Sequence, residues 1–179
     1  MTKRLAFSVL LSLFVLAPLR ADQTKTPAPA APVIVLETEK GTIEIEMYPA
    51  DAPKSVEMIL GLVRKGFYRG QRFHRVTSDL VQLGDPSTRD MTKQDYWGKS
   101  GSGVPVGVSE VSRKHPHVRG SMGLAHTGDP KYADSQFYIL KSANSSLDGK
   151  YVVVGHVTKG MEVVDKIEVA DVIRNATVR

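Results

Sequence analysis

The chain is organised by a change in hydrophobic period. Val33-Ile34-Val35-Leu36 is an unbroken apolar run, as in a buried strand. Thr42-Ile43-Glu44-Ile45-Glu46-Met47 alternates apolar and acidic residues, as a half-buried strand does, with Glu44 and Glu46 on the solvent face. Glu37 to Gly41 between them reads as a turn, with Gly41 free to take positive φ, so the two runs form a hairpin. The period then lengthens. Val56, Ile59, Leu60 and Val63 recur at helical spacing behind Asp51-Ala52-Pro53. Asp51 suits the cap, Pro53 the first turn and Gly66 the stop.

From Phe67 to Val157 short apolar or alternating runs are separated by Gly, Pro, Asn and Asp, which predicts an antiparallel barrel or sandwich. Met161 to Ile167 predicts a short second helix, and Val172 to Val178 a closing strand. Pro86 to Gly120 has little periodicity. It is expected to form ordered functional loops, with Tyr96, Trp97 and several valines to bury.

The N-terminus has a different composition. Residues 1–21 read as a signal peptide: Lys3 and Arg4 precede the apolar run Leu5–Leu16, and Ala21 offers a small residue for cleavage. That run is short of the roughly 20 residues a membrane span requires. The alternative is an uncleaved N-terminal anchor. Residues 22–32, DQTKTPAPAAP, read as a Pro/Ala-rich linker of extended character, and 33–179 as the functional domain. Export places the domain in the periplasm or outside the cell, with no stable membrane insertion once the leader is removed.

A chain of 179 residues is long enough for one domain with its own core. Three of its net +5 charges come from Lys3, Arg4 and Arg20 in the leader, and no Lys/Arg run follows, which argues against a nucleic-acid partner. The absence of cysteine excludes both a lipid-modified cysteine anchor and disulfides, which a domain of this size does not need.

The chemistry gathers at Phe73-His74-Arg75-Val76, Gln82-Leu83-Gly84-Asp85 and Ser135-Gln136-Phe137-Tyr138. These place one arginine among aromatic and amide side chains. His74 should point away from Arg75 on a strand and serve as a buried, hydrogen-bonded structural residue. His115-Pro116-His117 lacks the three or four clustered ligands of a metal site and reads as a solvated loop. No nucleophile elbow surrounds Ser135, so a hydrolytic triad is set aside.

In order and spacing, these segments resemble the cyclophilin family of peptidyl-prolyl cis-trans isomerases. Phe73–Val76 matches the family's FHRV element, Gln82–Asp85 resembles QGGD, and Ser135–Ile139 resembles SQFFI. Gly120–Ala125 resembles the strand lining the groove, and Leu147–Gly155 resembles LDGKHVVFG. The resemblance runs from about Val33 to Ala170. It implies a mainly β fold, a closed eight-stranded antiparallel barrel capped by two helices, with no cofactor and no metal. By the same resemblance Arg75 is catalytic, and Phe73, Leu80, Val81, Tyr138 and Leu147 line a proline pocket. Gln82 holds Arg75 or the substrate backbone, Ala125 and His126 contact the peptide, and Gln136 and Tyr151 sit on the rim. The implied partners are proline-containing unfolded or flexible polypeptides, met by a monomer.

Three departures are visible. The stretch between Phe73–Val76 and Gln82–Asp85 is one residue shorter than in the family, with aliphatics where an aromatic is usual. Tyr138 replaces a phenylalanine and would bring a hydroxyl to the pocket floor. Ser146 stands where many eukaryotic relatives carry the Trp that helps bind cyclosporin, which implies weak cyclosporin affinity.

The chemistry itself suits the residues. Peptide rotation is opposed by about 18–20 kcal/mol of C–N resonance, and an X-Pro bond turns unaided only in tens to hundreds of seconds. A donor aimed at the amide nitrogen favours the twisted state, and Arg75 carries several on a fixed charge. Such preorganised electrostatics needs no general acid or base. Two other readings stay open: a catalytically weak peptide-binding or chaperone module, and a small-ligand-binding barrel.

Overall fold

A computed structural model describes residues 30–179. The expected leader, residues 1–21, and the linker up to residue 29 lie outside the described residues. The predicted hairpin is present as β1 (Val33–Thr38) and β2 (Gly41–Met47), with Ile34 opposite Ile45 and Leu36 opposite Ile43. All four are fully buried. Val33 and Val35 are only half-buried, so β1 is a one-sided strand rather than one buried on both faces. Glu44 is half-buried and pairs with Arg179 and Lys159, tying β2 to two segments distant in sequence.

The helix α1 (Pro53–Arg64) buries Val56, Ile59, Leu60 and Val63 as the spacing predicts. Its cap differs. Ala52 occupies the N-cap and caps nothing with its side chain. Asp51 instead meets His115 at 2.7 Å and also Lys114. The free amides of Lys54 and Ser55 donate to the Glu110 carboxylate at 3.0 and 2.8 Å, so a distant loop supplies the anion that a helix N-terminus favours.

Six further strands follow: β3 (Arg75–Val76), β4 (Leu80–Leu83), β5 (Ser121–Leu124), β6 (Phe137–Leu140), β7 (Val153–Lys159) and β8 (Ile173–Val178). They form one antiparallel sheet in the order β3-β4-β6-β5-β7-β2-β1-β8. Its two ends meet. The segment before β3 bonds to the start of β8 and the residues leading into it, with Phe73 N–H donating to Asp171 C=O at 3.1 Å and Ile173 N–H to Gln71 C=O at 2.8 Å. The sheet thus curls into a barrel, the eight-stranded mainly β fold expected. Ile34, Leu36, Ile43, Ile45, Met122 and Leu124 fill it, so the interior is packed, which removes the small-ligand-barrel reading.

The second helix, α2 (Met161–Val164), is shorter than expected. Lys166 and Ile167 bond back three residues, to Val163 and Val164, and tighten its end, while Ile167 stays buried. Residues 86–120 contain 3₁₀ turns at Pro86–Arg89 and Met91–Tyr96 and no strand. The expected burial is met only in part: Tyr96 is 64 % exposed and Val104 67 %, while Val106 and Val111 pack against the core. Polar contacts add to this: the carboxylate of buried Asp85 accepts from the amides of Ser87, Gly98 and Ser100 at 2.7, 2.6 and 3.2 Å.

Candidate active site

β3 and β4 pair Arg75 directly with Gln82, and β4 pairs Gln82 with Tyr138 on β6. Strand alternation then separates the neighbours. Leu80 and Gln82 face outward into a groove, while Val81 and Leu83 face the core. Val81 is fully buried there, which corrects its assignment to the pocket wall. Phe73 is corrected likewise: it is fully buried in the main core and is absent from the groove lining.

The groove has two lobes. One, about 390 Å³, is lined by Arg75, Leu80, Gln82, Ala125, His126, Tyr138, Leu147 and Tyr151, with Thr77, Asp79 and Asn144 at its edge. Leu80, Tyr138 and Leu140 form a small buried cluster beneath it, with Ala125, Leu147 and Tyr151 packed on top. The other lobe, about 470 Å³, lies between the 98–101 loop and Ala125–Thr127, with Tyr132, Asp134 and Gln136. Gln82, Ala125 and His126 line both lobes, so they form one continuous groove.

A relay of amides fixes the arginine. Arg75 Nη1 donates to Gln82 Oε1 at 3.3 Å, and Gln82 Nε2 donates to Gln136 Oε1 at 2.9 Å. Gln136 Nε2 donates to the carbonyls of Gly98 and Ser100 at 3.0 and 2.7 Å. Those residues are the ones Asp85 clamps through their amides, so the Asp of the Gln82–Asp85 motif steadies Arg75 from a distance. Arg75 itself is exposed, with its remaining donors free to meet a peptide laid across the groove. His126 donates through Nε2 to Lys150 C=O at 3.1 Å and lies tilted over Tyr151, with ring centres 4.4 Å apart. Ser146 is exposed and bonded to Asn144, so no aromatic wall rises there.

His74 lies beside this relay. Neither of its buried ring nitrogens has a hydrogen-bond partner among the described residues, unlike the bonded role expected. Burial lowers its pKa, with the Asp85 charge and the nearby Gln136 side chain opposing. The unfolded chain takes up this proton near its ordinary value of 6.5 and the folded one only at lower pH. Stability present above that value is therefore lost as pH falls through the folded pKa. Denaturant titrations at stepped pH should show the loss beginning near pH 6.5, and His74→Gln should remove that component. An unchanged profile in the variant would assign the loss to other groups.

Sequence reasoning missed two residues here. His117, read as solvated, is 2 % exposed and bonded to Tyr138 and Asp148. Gly123 faces Tyr138 across β5 and β6. The signal was available in Tyr138: a tyrosine in a pocket floor needs a hydroxyl partner, and a strand glycine marks a close approach.

An eight-stranded antiparallel sheet curled around a packed core, with a surface groove, an apolar recess and one relay-held arginine, is a site suited to a polypeptide rather than to a small buried ligand. The model of the family "Cyclophilin type peptidyl-prolyl cis-trans isomerase/CLD" matches residues 33–179. A probable peptidyl-prolyl cis-trans isomerase of Brucella suis is 38 % identical over 170 residues, covering 93 % of this chain and 86 % of that protein. One from Arabidopsis thaliana is 32 % identical, covering 79 % and 83 %. Among solved structures, a cyclophilin-type isomerase of Cryptosporidium parvum superposes with a TM-score of 0.71 at 22 % identity, over 83 % of this chain and 97 % of that one. The chain belongs to the cyclophilin-type peptidyl-prolyl cis-trans isomerases.

Proposed function

We propose that this isomerase works outside the cytoplasm, as a monomer, turning X-Pro bonds in unfolded or flexible polypeptides and so assisting their folding, with Arg75 as its catalytic residue. The observation that carries this reading is the placement of an exposed, relay-held guanidinium at the mouth of an apolar recess. The proline ring rests against Leu80, Tyr138, Leu147 and Tyr151, and the residues before it run along Ala125, His126 and Gln136 into the second lobe. Arg75 then presents a donor to the prolyl nitrogen as it becomes pyramidal and loses conjugation. Gln82 keeps the guanidinium from swinging into solvent. The C. parvum cyclophilin has also been solved in the presence of the dipeptide Ala-Pro, which supports an X-Pro ligand for the groove.

Export rests on the leader: Lys3 and Arg4, then Leu5–Leu16, then Ala21. The test joins two measurements. NMR exchange spectroscopy on a short X-Pro peptide should show strong acceleration by the domain from Val33 onward. Mass spectrometry of the chain recovered from cells should find it outside the cytoplasm and beginning at Asp22. A full-length chain retained in the membrane fraction would replace cleavage by anchoring, and a cytoplasmic one would remove the export reading.

A further inference from the structure

Tyr138 is an awkward residue for the floor of a proline pocket. Its ring must present an apolar face, yet its hydroxyl is buried and must be bonded. Tyr138 is 4 % exposed, and burial raises its pKa strongly, so the phenol stays neutral. The chain resolves the conflict on the side away from the groove. Gly123, directly across the β5–β6 ladder, leaves the room for the ring tip: a Cβ there would stand 2.3 Å from Tyr138 Cζ and Oη. Through that gap Tyr138 Oη reaches His117 Nε2 at 2.9 Å.

His117 is itself held. Its Nδ1 and its backbone N–H both lie 2.8 Å from Asp148 Oδ1, and its side chain is fully buried. These two bonds hold the Asp148 carboxyl below its usual pKa. An ionised carboxylate only accepts, so Nδ1 carries a proton, and in the neutral imidazole Nε2 is left to accept from the Tyr138 hydroxyl. The hydroxyl proton is thereby turned away from the groove. The same residue binds the facing wall: the Asn144 amide donates to His117 C=O at 2.9 Å, and Asp148 adjoins Leu147. Asn144, Leu147 and Tyr138 all line the lobe beside Arg75.

We propose that His117, oriented by Asp148, is a positioning residue of the proline pocket: it holds the Tyr138 hydroxyl in the gap over Gly123 and fixes the ring relative to the 144–148 wall. The pocket then offers the proline an aromatic face and no competing hydroxyl. This inference rests on the assignment of that lobe to the proline. Without the imidazole, the hydroxyl must find a partner elsewhere and draws the ring with it, which weakens peptide binding rather than the chemistry at Arg75.

The test is a cycle of wild type, His117→Leu, Tyr138→Phe and the double variant. Each is assayed for KM and kcat on an X-Pro peptide by NMR exchange, with thermal melts alongside. The expected result is a rise in KM of about tenfold for His117→Leu, the scale of one buried hydroxyl left unpaired, with little change in kcat. In the Tyr138→Phe background, where no hydroxyl remains to be held, His117→Leu should shift KM by less than about twofold. A folded His117→Leu protein with wild-type KM would overturn the proposal, as would an equal shift in both backgrounds. Should His117→Leu fail to fold, the tautomer is read in the native protein by long-range proton–nitrogen NMR. Protonation at Nδ1 is expected, and an Nε2-protonated ring would overturn the proposal. Arg75→Ala in the same assay separates the levels: full activity there would fail the site assignment itself, whatever His117 does.

Discussion

Arg75→Ala slows X-Pro exchange by about 10²–10³, the scale of one preorganised donor removed from a developing charge. The physical case is local. Uncatalysed rotation is limited by amide conjugation, so the group that meets the twisted nitrogen or the rotating carbonyl determines the rate. Within the lobe that holds Leu80, Tyr138, Leu147 and Tyr151, Arg75 is the permanently charged donor. The loss should fall mainly on kcat, because the apolar recess that grips the proline remains. Folding should barely change, within about 0.5 kcal/mol, since the side chain is exposed and, among the described residues, bonded only to Gln82. Arg75→Lys should recover little, because a single ammonium cannot hold Gln82 and a substrate with the same planar fork. The measurement is NMR exchange on one X-Pro peptide for wild type and both variants, with a denaturant melt of each. A variant as fast as wild type would move catalysis away from Arg75.

Gly84→Ala should be among the most damaging single-methyl changes, costing on the order of 3 kcal/mol. Gly84 sits at φ +107°, a region that disfavours a side chain. A Cβ there would lie 2.2 Å from Ser135 O and 2.6 Å from Gln136 Cα, both main-chain atoms with little freedom to yield. The two segments are also stitched together, with Ser135 Oγ donating to Gly84 C=O at 2.7 Å. Pushing them apart displaces Gln136, and with it the relay that holds Gln82 and Arg75. Activity should therefore fall in the variant even where it remains folded. Gly61→Ala is the contrasting control. It sits inside α1 with nothing within 4 Å of the added methyl. There the same change should stabilise by about 0.5–1 kcal/mol through helix propensity. Urea melts of both variants decide the point: similar small effects at the two glycines would remove close backbone approach as the constraint at Gly84.

The path from sequence to site was uneven for reasons that particular residues show. Arg75, Leu80, Gln82, Ala125, His126, Gln136, Tyr138, Leu147 and Tyr151 are brought together along one groove. Phe73 and Val81 are not, because motif membership names a stretch of chain while the pleat decides which side each residue takes. Asp51 has the composition of a helix cap, yet Glu110, distant in sequence, does the capping. The loops of 86–120 looked as if they needed apolar burial; Val106 and Val111 supply some of it, and a buried carboxylate, Asp85, ties residues 87, 98 and 100 together in a way no local pattern shows.

What depends on near neighbours and on period is written in the chain. The hairpin of β1 and β2, the buried stripe of α1, the antiparallel class and the arginine-centred chemistry can all be read there, because alternation, helical spacing and turn residues act over a few positions. Tertiary structure alone decided what depends on residues far apart in the chain. It closed the sheet by bonding the segment before β3 to the start of β8 and the residues leading into it. It ran the relay from Arg75 through Gln82 and Gln136 to Gly98, and it turned His117 from an apparent loop residue into the anchor of Tyr138. Hydrogen bonds and close backbone approaches of this kind are set by where strands lie in space, and local pattern carries no record of that.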